Sequence, residues 1–125
     1  MQVFHQKDIS NASFLVTGGA GFIGSHIVEY LLRHGAGKVR VLDNLSTGFR
    51  RNIDLFAGHP AFEFLEGDIR DVKVCAEACK GIDYVTHQAA LGSVPRSVKD
   101  PVTTNEVNIS GFINIITAAK DAGVK

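Results

Sequence analysis

The chain carries no excess of charge of either sign: thirteen Lys and Arg balance thirteen Asp and Glu, and the basic residues are dispersed. That excludes the basic stripe with which a domain meets nucleic acid or an anionic membrane. No apolar run approaches the roughly 18 residues of a membrane span, and the opening MQVFHQKDIS is not a signal peptide. Cysteine is scarce. Cys75 and Cys79 are the only two, four positions apart in a helical pattern. They share one helix face and read as reduced cytosolic thiols, and no Cys-x-x-Cys or His pair completes a metal site. The five histidines are scattered. No repeat, low-complexity tract or linker divides the chain, so its 125 residues are one domain or part of one.

Glycine, by contrast, is placed with a pattern. Phe14 to His26 reads FLVTGGAGFIGSH: an apolar run, then Gly18, Gly21 and Gly24, then an apolar helical stripe. Strand, glycine turn and helix in that order form a dinucleotide fingerprint. Gly18 lets the chain leave the strand sharply, Gly21 lets a pyrophosphate approach the backbone, and Gly24 lets the helix pack closely on the strand. The helix N-terminus offers free N–H groups and partial positive charge to phosphate. The spacing is Gly-x-x-Gly-x-x-Gly, not the Gly-x-Gly-x-x-Gly of ordinary dehydrogenases. Asp43 closes a second apolar run, near the distance of about 20 residues expected for the carboxylate that holds an adenosine ribose. A carboxylate there repels a 2′-phosphate, so NAD is expected over NADP. Arg50 and Arg51 are the counter-signal.

Taken in order, Met1 to Asn11 reads as a tail or short helix, and residues 1–12 are set apart from a domain over 13–125. Strands are expected at Ser13–Thr17, Lys38–Leu42, Ala61–Glu66 and Asp83–His87. Helices are expected at Phe22–His34, Arg51–Ala57 and Val72–Lys80, the last capped by Asp71. Leu91 to Lys99 reads as a loop, broken by Pro95 and serines. A long helix then runs from Pro101 to Asp121 and ends at Gly123. Its main apolar face is Ile109, Phe112, Ile113, Ile116 and Ala119, with Gly111 and Ile115 widening it. A helix apolar over that width is buried by more than one neighbour, the sheet and a second subunit being the two candidates. The alternation predicts an α/β, Rossmann-type parallel sheet with helices on both faces and strand order 3-2-1-4. Its ligand cleft lies at the carboxyl ends of the strands.

Several stretches together resemble a known family. Thr17 to Gly24 (TGGAGFIG), Asp43-Asn44-Leu45, Gly67-Asp68-Ile69, His87-Gln88-Ala89-Ala90 and Asn108-Ile109-Ser110-Gly111 resemble the extended short-chain dehydrogenase/reductases, the nucleotide-sugar epimerases and dehydratases. The stretch ALGSVPRSVKDPVTTNEVNISGF resembles, more narrowly, bacterial UDP-N-acetylglucosamine 4-epimerases of surface-polysaccharide pathways. The resemblance implies roles by position. Gly18, Gly21, Phe22 and Ile23 would hold the pyrophosphate of NAD. Asp43 and Asn44, with Ser46, Thr47 and Gly48, would hold the adenosine ribose and its phosphate. Asp68 and Ile69 would flank the adenine, Asp68 accepting from its amino group. Gln88, Ala89 and Ala90 would pass the nicotinamide side, and Asn108 would support the active-site loop from the long helix. Gly92 and Ser93 would reach the sugar of a UDP-sugar substrate.

The same resemblance exposes one more absence. In that family a Tyr, and a Lys four residues later, move the proton while the sugar is oxidised. Here Tyr30 and Tyr84 are followed at that spacing by His34 and Gln88, so no catalytic residue is assigned. The expectation is the NAD-binding, N-terminal part of a cytoplasmic 4-epimerase acting on UDP-N-acetylhexosamine, inactive by itself and dimeric through the helix at about 101–121. A 4,6-dehydratase or decarboxylase on the same frame, and a non-catalytic nucleotide-binding module, remain the alternatives.

Overall fold

The computed structural model describes residues 6–92 and 94–125. Strands β1 (Ser13–Thr17), β2 (Lys38–Asp43), β3 (Phe62–Glu66) and β4 (Tyr84–His87) pair in parallel in the order β3-β2-β1-β4. Helices α1 (Phe22–Arg33), α2 (Arg51–Asp54) and α3 (Val72–Cys79) lie in the three crossovers. After β4 come α4 (Val94–Lys99), α5 (Pro101–Asn105), a π-helical segment over Glu106–Gly111, and α6 (Phe112–Asp121). The expected fold class and strand order are both observed.

Period-two alternation sorts the strand side chains into two cores. Leu15 and Leu42 pack with Cys75, Cys79, Ile82 and Ile115, on the face covered by α3 and α6. Val16, Val39 and Val41 pack with Val28, Leu31 and Leu32 of α1 on the other. Helices therefore cover both faces, as a buried parallel sheet needs. Arg40 faces α3 from β2, and its Nη1 donates to the carbonyls of Ala78 (2.7 Å) and Lys80 (2.9 Å). That satisfies acceptors the end of α3 would leave open. At the other end of α3, Asp71 Oδ1 accepts from the N–H of Lys73 (2.9 Å) and Val74 (3.4 Å), the expected cap.

Four expectations change. Residues 91–99 are not all loop, because α4 occupies Val94–Lys99. Pro95 sits in its first turn, where a missing N–H costs no hydrogen bond. The helix expected from Pro101 to Asp121 is not one continuous α-helix. The π segment interrupts it, and the extra residue in that turn rotates α6 relative to α5. The side of α6 that faces the sheet is the narrower stripe of Gly111, Ile115 and Ala118. The wider stripe is open, with Ile109, Phe112, Ile113 and Ile116 each about half exposed (55, 45, 53 and 54%). Finally, the segment before β1 is not a free tail over its described part. Ile9 is buried with the α1 core, and its carbonyl accepts from Ala12 and Gly37. Residues 1–5 of that segment lie outside the described residues. No helix among the described residues is long and apolar enough to cross a membrane.

Candidate dinucleotide-binding site

The turn after β1 is built by a backbone approach that only glycine permits. Gly18 has φ +72°, and a Cβ on it would lie 2.8 Å from the Ala89 nitrogen. The chain leaving β4 thus crosses directly over the turn. Gly24 is as constrained, but its neighbour differs from the expectation. A Cβ there would collide with the carbonyl of Gly18, so the helix packs on the glycine turn itself rather than on the strand. Gly21 between them opens toward the cleft.

Thr17 locks this crossing. It is fully buried, and its Oγ1 accepts from the N–H of Gln88 (3.0 Å) and Ala89 (3.2 Å). Both lone pairs are then used, so the hydroxyl proton goes to His87 Nδ1 at 2.7 Å. The His87 proton therefore sits on Nε2, and the ring is neutral. Phe112 of α6 packs against it, ring centroids 5.6 Å apart. Burial pushes this imidazole below its ordinary value.

Asp43, at the end of β2, is buried. Its Oδ2 accepts from the Ala20 N–H (3.0 Å) inside the glycine turn, and its Oδ1 from the Leu45 N–H (2.7 Å). Each oxygen keeps lone-pair capacity, and the residue lines the cleft. Leu45 is held at φ +62°, a left-handed conformation unusual for Leu. That bend turns the chain back, so Ser46, Thr47 and Gly48 also line the cleft.

On the far side, Asp68 at the end of β3 is gripped by Arg70 and approached by Asn44 Nδ2 at 3.3 Å. The hydrogen bond from Arg70 holds its carboxyl below the usual range, against burial, which acts the other way. The Ile69 carbonyl accepts from Asn114 Nδ2 (3.0 Å) and Cys75 Sγ (3.2 Å). Burial pushes that Cys75 thiol up to about 11, so it serves as a donor and not as a nucleophile.

These pieces enclose one cleft of about 520 Å³, mouth included. Gly18, Gly21, Asp43, Asn44, Ser46, Thr47, Gly48, Asp68, Ile69, Gln88, Ala89 and Ala90 all line it. Phe22 and Ile23 do not: their side chains are exposed on an apolar groove along α1. Only their backbone N–H groups, in the first turn of α1, remain for a phosphate. Asn108 does not line it either. Its amide pairs both ways with the Leu91 backbone (2.7 and 2.8 Å), so it acts through that loop. Gly92 is exposed outside the cleft, and Ser93 lies outside the described residues. Leu42, Gly67, Leu91 and Val107 also line the cleft, and sequence reasoning misses all four. Gly67 and Leu91 adjoin expected site residues and are within reach of the same reasoning. Val107 depends on the π segment. The fit to NAD is good on donor chemistry: N–H groups at the glycine turn, a buried carboxylate beyond it, and an apolar wall of Leu42, Ile69 and Val107.

Residues 14–125 match the model of the NAD dependent epimerase/dehydratase family. The chain belongs to that family. A UDP-glucose 4-epimerase of Lactobacillus helveticus is 42% identical over 113 residues, 89% of this chain and 32% of that protein. A dTDP-glucose 4,6-dehydratase from Streptomyces venezuelae, solved with NAD bound, is 41% identical with a TM-score of 0.85, over 90% of this chain and 37% of that one. A UDP-N-acetylglucosamine 4-epimerase from Methanobrevibacter ruminantium, solved with UDP-N-acetylmuramic acid, is 38% identical with a TM-score of 0.83, over 93% and 36%. The chain spans about a third of the length of the curated relatives it matches.

The neutral His87 gives the site a pH signature. The unfolded chain takes up a proton near the ordinary value of 6.5, whereas the folded chain does so only at lower pH. This stability is complete above about 6.5 and is lost as pH falls through the folded value. Urea midpoints should fall between pH 7 and pH 5, and His87→Gln should flatten that fall. An equal slope in the two proteins would remove His87 from the account.

Proposed function

We propose that this chain is the NAD-binding part of a nucleotide-sugar 4-epimerase acting on UDP-N-acetylhexosamines. The observation that carries the reading is the meeting of the glycine turn and the Asp43 carboxylate in one cleft at the carboxyl ends of β1 and β2. Bound there, NAD would supply the oxidant for C4 of the sugar and return the hydrogen to the opposite face. Backbone N–H groups at the glycine turn and the start of α1 hold the pyrophosphate. Asp43 accepts from the ribose hydroxyls, Asp68 from the adenine amino group. Thr17 fixes Gln88 to Ala90 beside the nicotinamide, and Asn108 fixes Leu91, from which Gly92 and Ser93 lead toward the sugar. The buried free thiols Cys75 and Cys79 suit a cytoplasmic protein.

NAD is preferred over NADP in this reading because the two arginines near Asp43 are engaged elsewhere. Arg50 lies over the Phe64 ring (5.3 Å) and reaches Glu66 (4.0 Å), and Arg51 lies over Phe49 (4.6 Å). Calorimetry on the chain should give NAD several-fold tighter binding than NADP, and Asp43→Ala should narrow the gap mainly by weakening NAD. Equal affinities would contradict this.

The epimerase assignment is supported by relatives that bear that name, and the N-acetylated sugar by one solved neighbour. A dehydratase on the same frame is the second reading, favoured by the Streptomyces enzyme of comparable identity. The chain holds no Tyr-x-x-x-Lys pair. With UDP-N-acetylglucosamine and NAD it should therefore form no epimer, whereas a protein joining it to such a pair should form UDP-N-acetylgalactosamine. Turnover by the chain itself would relocate the chemistry, and loss of water from the sugar would select the dehydratase.

The open stripe Ile109, Phe112, Ile113 and Ile116 is read as a face for a second copy of the chain. An apolar surface of this kind drives association, and Ile9 packs against α1 rather than over it. Sedimentation should find self-association in the micromolar range, shifted toward monomer by Ile113→Lys with Ile116→Lys. A monomer at high concentration in the unsubstituted chain would count against it.

A further inference from the structure

Arg70 does not line the cleft, yet it governs a carboxylate that does. Its Nε–H is shared between Oδ1 (3.1 Å) and Oδ2 (3.0 Å) of Asp68, its Nη2 donates to Oδ2 (2.6 Å), and its backbone N–H donates to Oδ1 (2.9 Å). The one other donor to Asp68 among the described residues is Asn44 Nδ2, at 3.3 Å. An ionised carboxylate has about four acceptor sites. Arg70 fills three, and Asn44 holds the fourth through a long contact.

Arg70 is itself fixed from the other side. Its Nη1 reaches Glu106 Oε2, at the start of the π segment, at 3.4 Å. Its carbonyl and that of Ile69 accept from Asn114 of α6 (3.3 and 3.0 Å). A lone surface ion pair contributes little, but a planar fork locked at both ends fixes direction as well as charge.

We propose that Arg70 is the positioning residue that sets the base selectivity of this cleft: by filling three acceptor sites of Asp68 it leaves the fourth, lightly held by Asn44, for the exocyclic amino group of an adenine. This rests on the reading of the cleft as a dinucleotide site. An amino group donates into that fourth site and displaces the Asn44 contact. A 6-oxo purine sets a carbonyl oxygen where the amino group would donate, acceptor against acceptor, so the fourth site gains no donor from that position, and such a mismatch discriminates strongly. The same grip keeps Asp68 below the usual carboxyl range, which extends its acceptor-only form to lower pH.

The test compares calorimetric affinities of the chain for NAD and for nicotinamide hypoxanthine dinucleotide, which carries oxygen in place of the amino group. The unsubstituted chain should prefer NAD by about tenfold or more, the range of a hydrogen bond to a charged group. In Arg70→Ala and Arg70→Gln the preference should shrink to about threefold or less, mainly through weaker NAD binding, the expected loss of a charge-assisted hydrogen bond. Arg70→Lys keeps the charge without the fork and should fall between. A purely structural role would weaken both dinucleotides equally and leave the ratio unchanged, which would overturn the proposal. Should Arg70→Ala not fold, the Gln and Lys variants carry the same comparison. Failure of the unsubstituted chain to bind either dinucleotide would remove the dinucleotide reading itself. Binding with an unaltered ratio in every folded variant would remove only the role of Arg70.

Discussion

Two backbones pass so closely at Gly18 that no side chain fits between them. A Cβ there would lie 2.8 Å from the Ala89 nitrogen, and the turn needs φ +72°. This crossing sets the course of β4 into Gln88 to Ala90, the seat of α1 on the turn through Gly24, and the floor of the cleft. Thr17 adds the polar half of the same constraint. One hydroxyl satisfies two N–H groups and a histidine at a fully buried position. The Gln88 N–H is shared with the Thr17 carbonyl (3.0 Å), so it is the Ala89 N–H that would lose its acceptor with the hydroxyl, at a cost of roughly 1–3 kcal/mol where it is shielded from water.

Around it, the cleft is held ready by hydrogen bonds made within the chain. Asp43 ties the glycine turn to the bend at Leu45, whose left-handed backbone costs about 1 kcal/mol and is held by that carboxylate and by the Asn44 amide accepting from Ser46. Asn108 fixes Leu91, and Asn114 with Cys75 fixes Ile69. The π segment serves as the common support. Its first residue meets Arg70 on the Asp68 side of the cleft, while its third meets Leu91 on the side of Gln88 to Ala90. An uninterrupted α-helix would present those two side chains at a different rotation.

Much of this is legible in the residues, and the parts that are not share a cause. Strand–turn–helix, the spacing to Asp43 and the alternating elements depend on local periodicity and on glycine geometry, which a sequence displays. The π segment depends on one extra residue per turn, which leaves no mark on composition, so the run from Pro101 to Asp121 looks continuous. Pro95 looks like a breaker, yet in a first turn it breaks nothing. Position alone assigns Phe22 and Ile23 to the pyrophosphate. That role falls to their backbone N–H groups at the helix start, as the side chains turn out along α1. The apolar stripe of α6 shows that the helix is broad in its greasiness, but not which side the sheet takes. Gly111 settles that, since a Cβ on it would lie 2.6 Å from Ile69 side-chain atoms. Arg70 lies one residue past the motif Gly67-Asp68-Ile69, and its reach to Glu106 joins parts of the chain that only the fold brings together.

The most direct measurement is amide chemical-shift mapping on the uniformly ¹⁵N-labelled chain titrated with NAD. Saturable shifts are expected at Gly18, Ala20, Gly21, Phe22 and Ile23, at Leu45 to Gly48, and at Gln88 to Leu91, all reporting one dissociation constant. Amides in the lower half of the sheet, such as those of Phe14 and Val39, should stay in place. Shifts absent from the glycine turn, or gathered instead along the exposed groove of Ile27 and Tyr30, would contradict this.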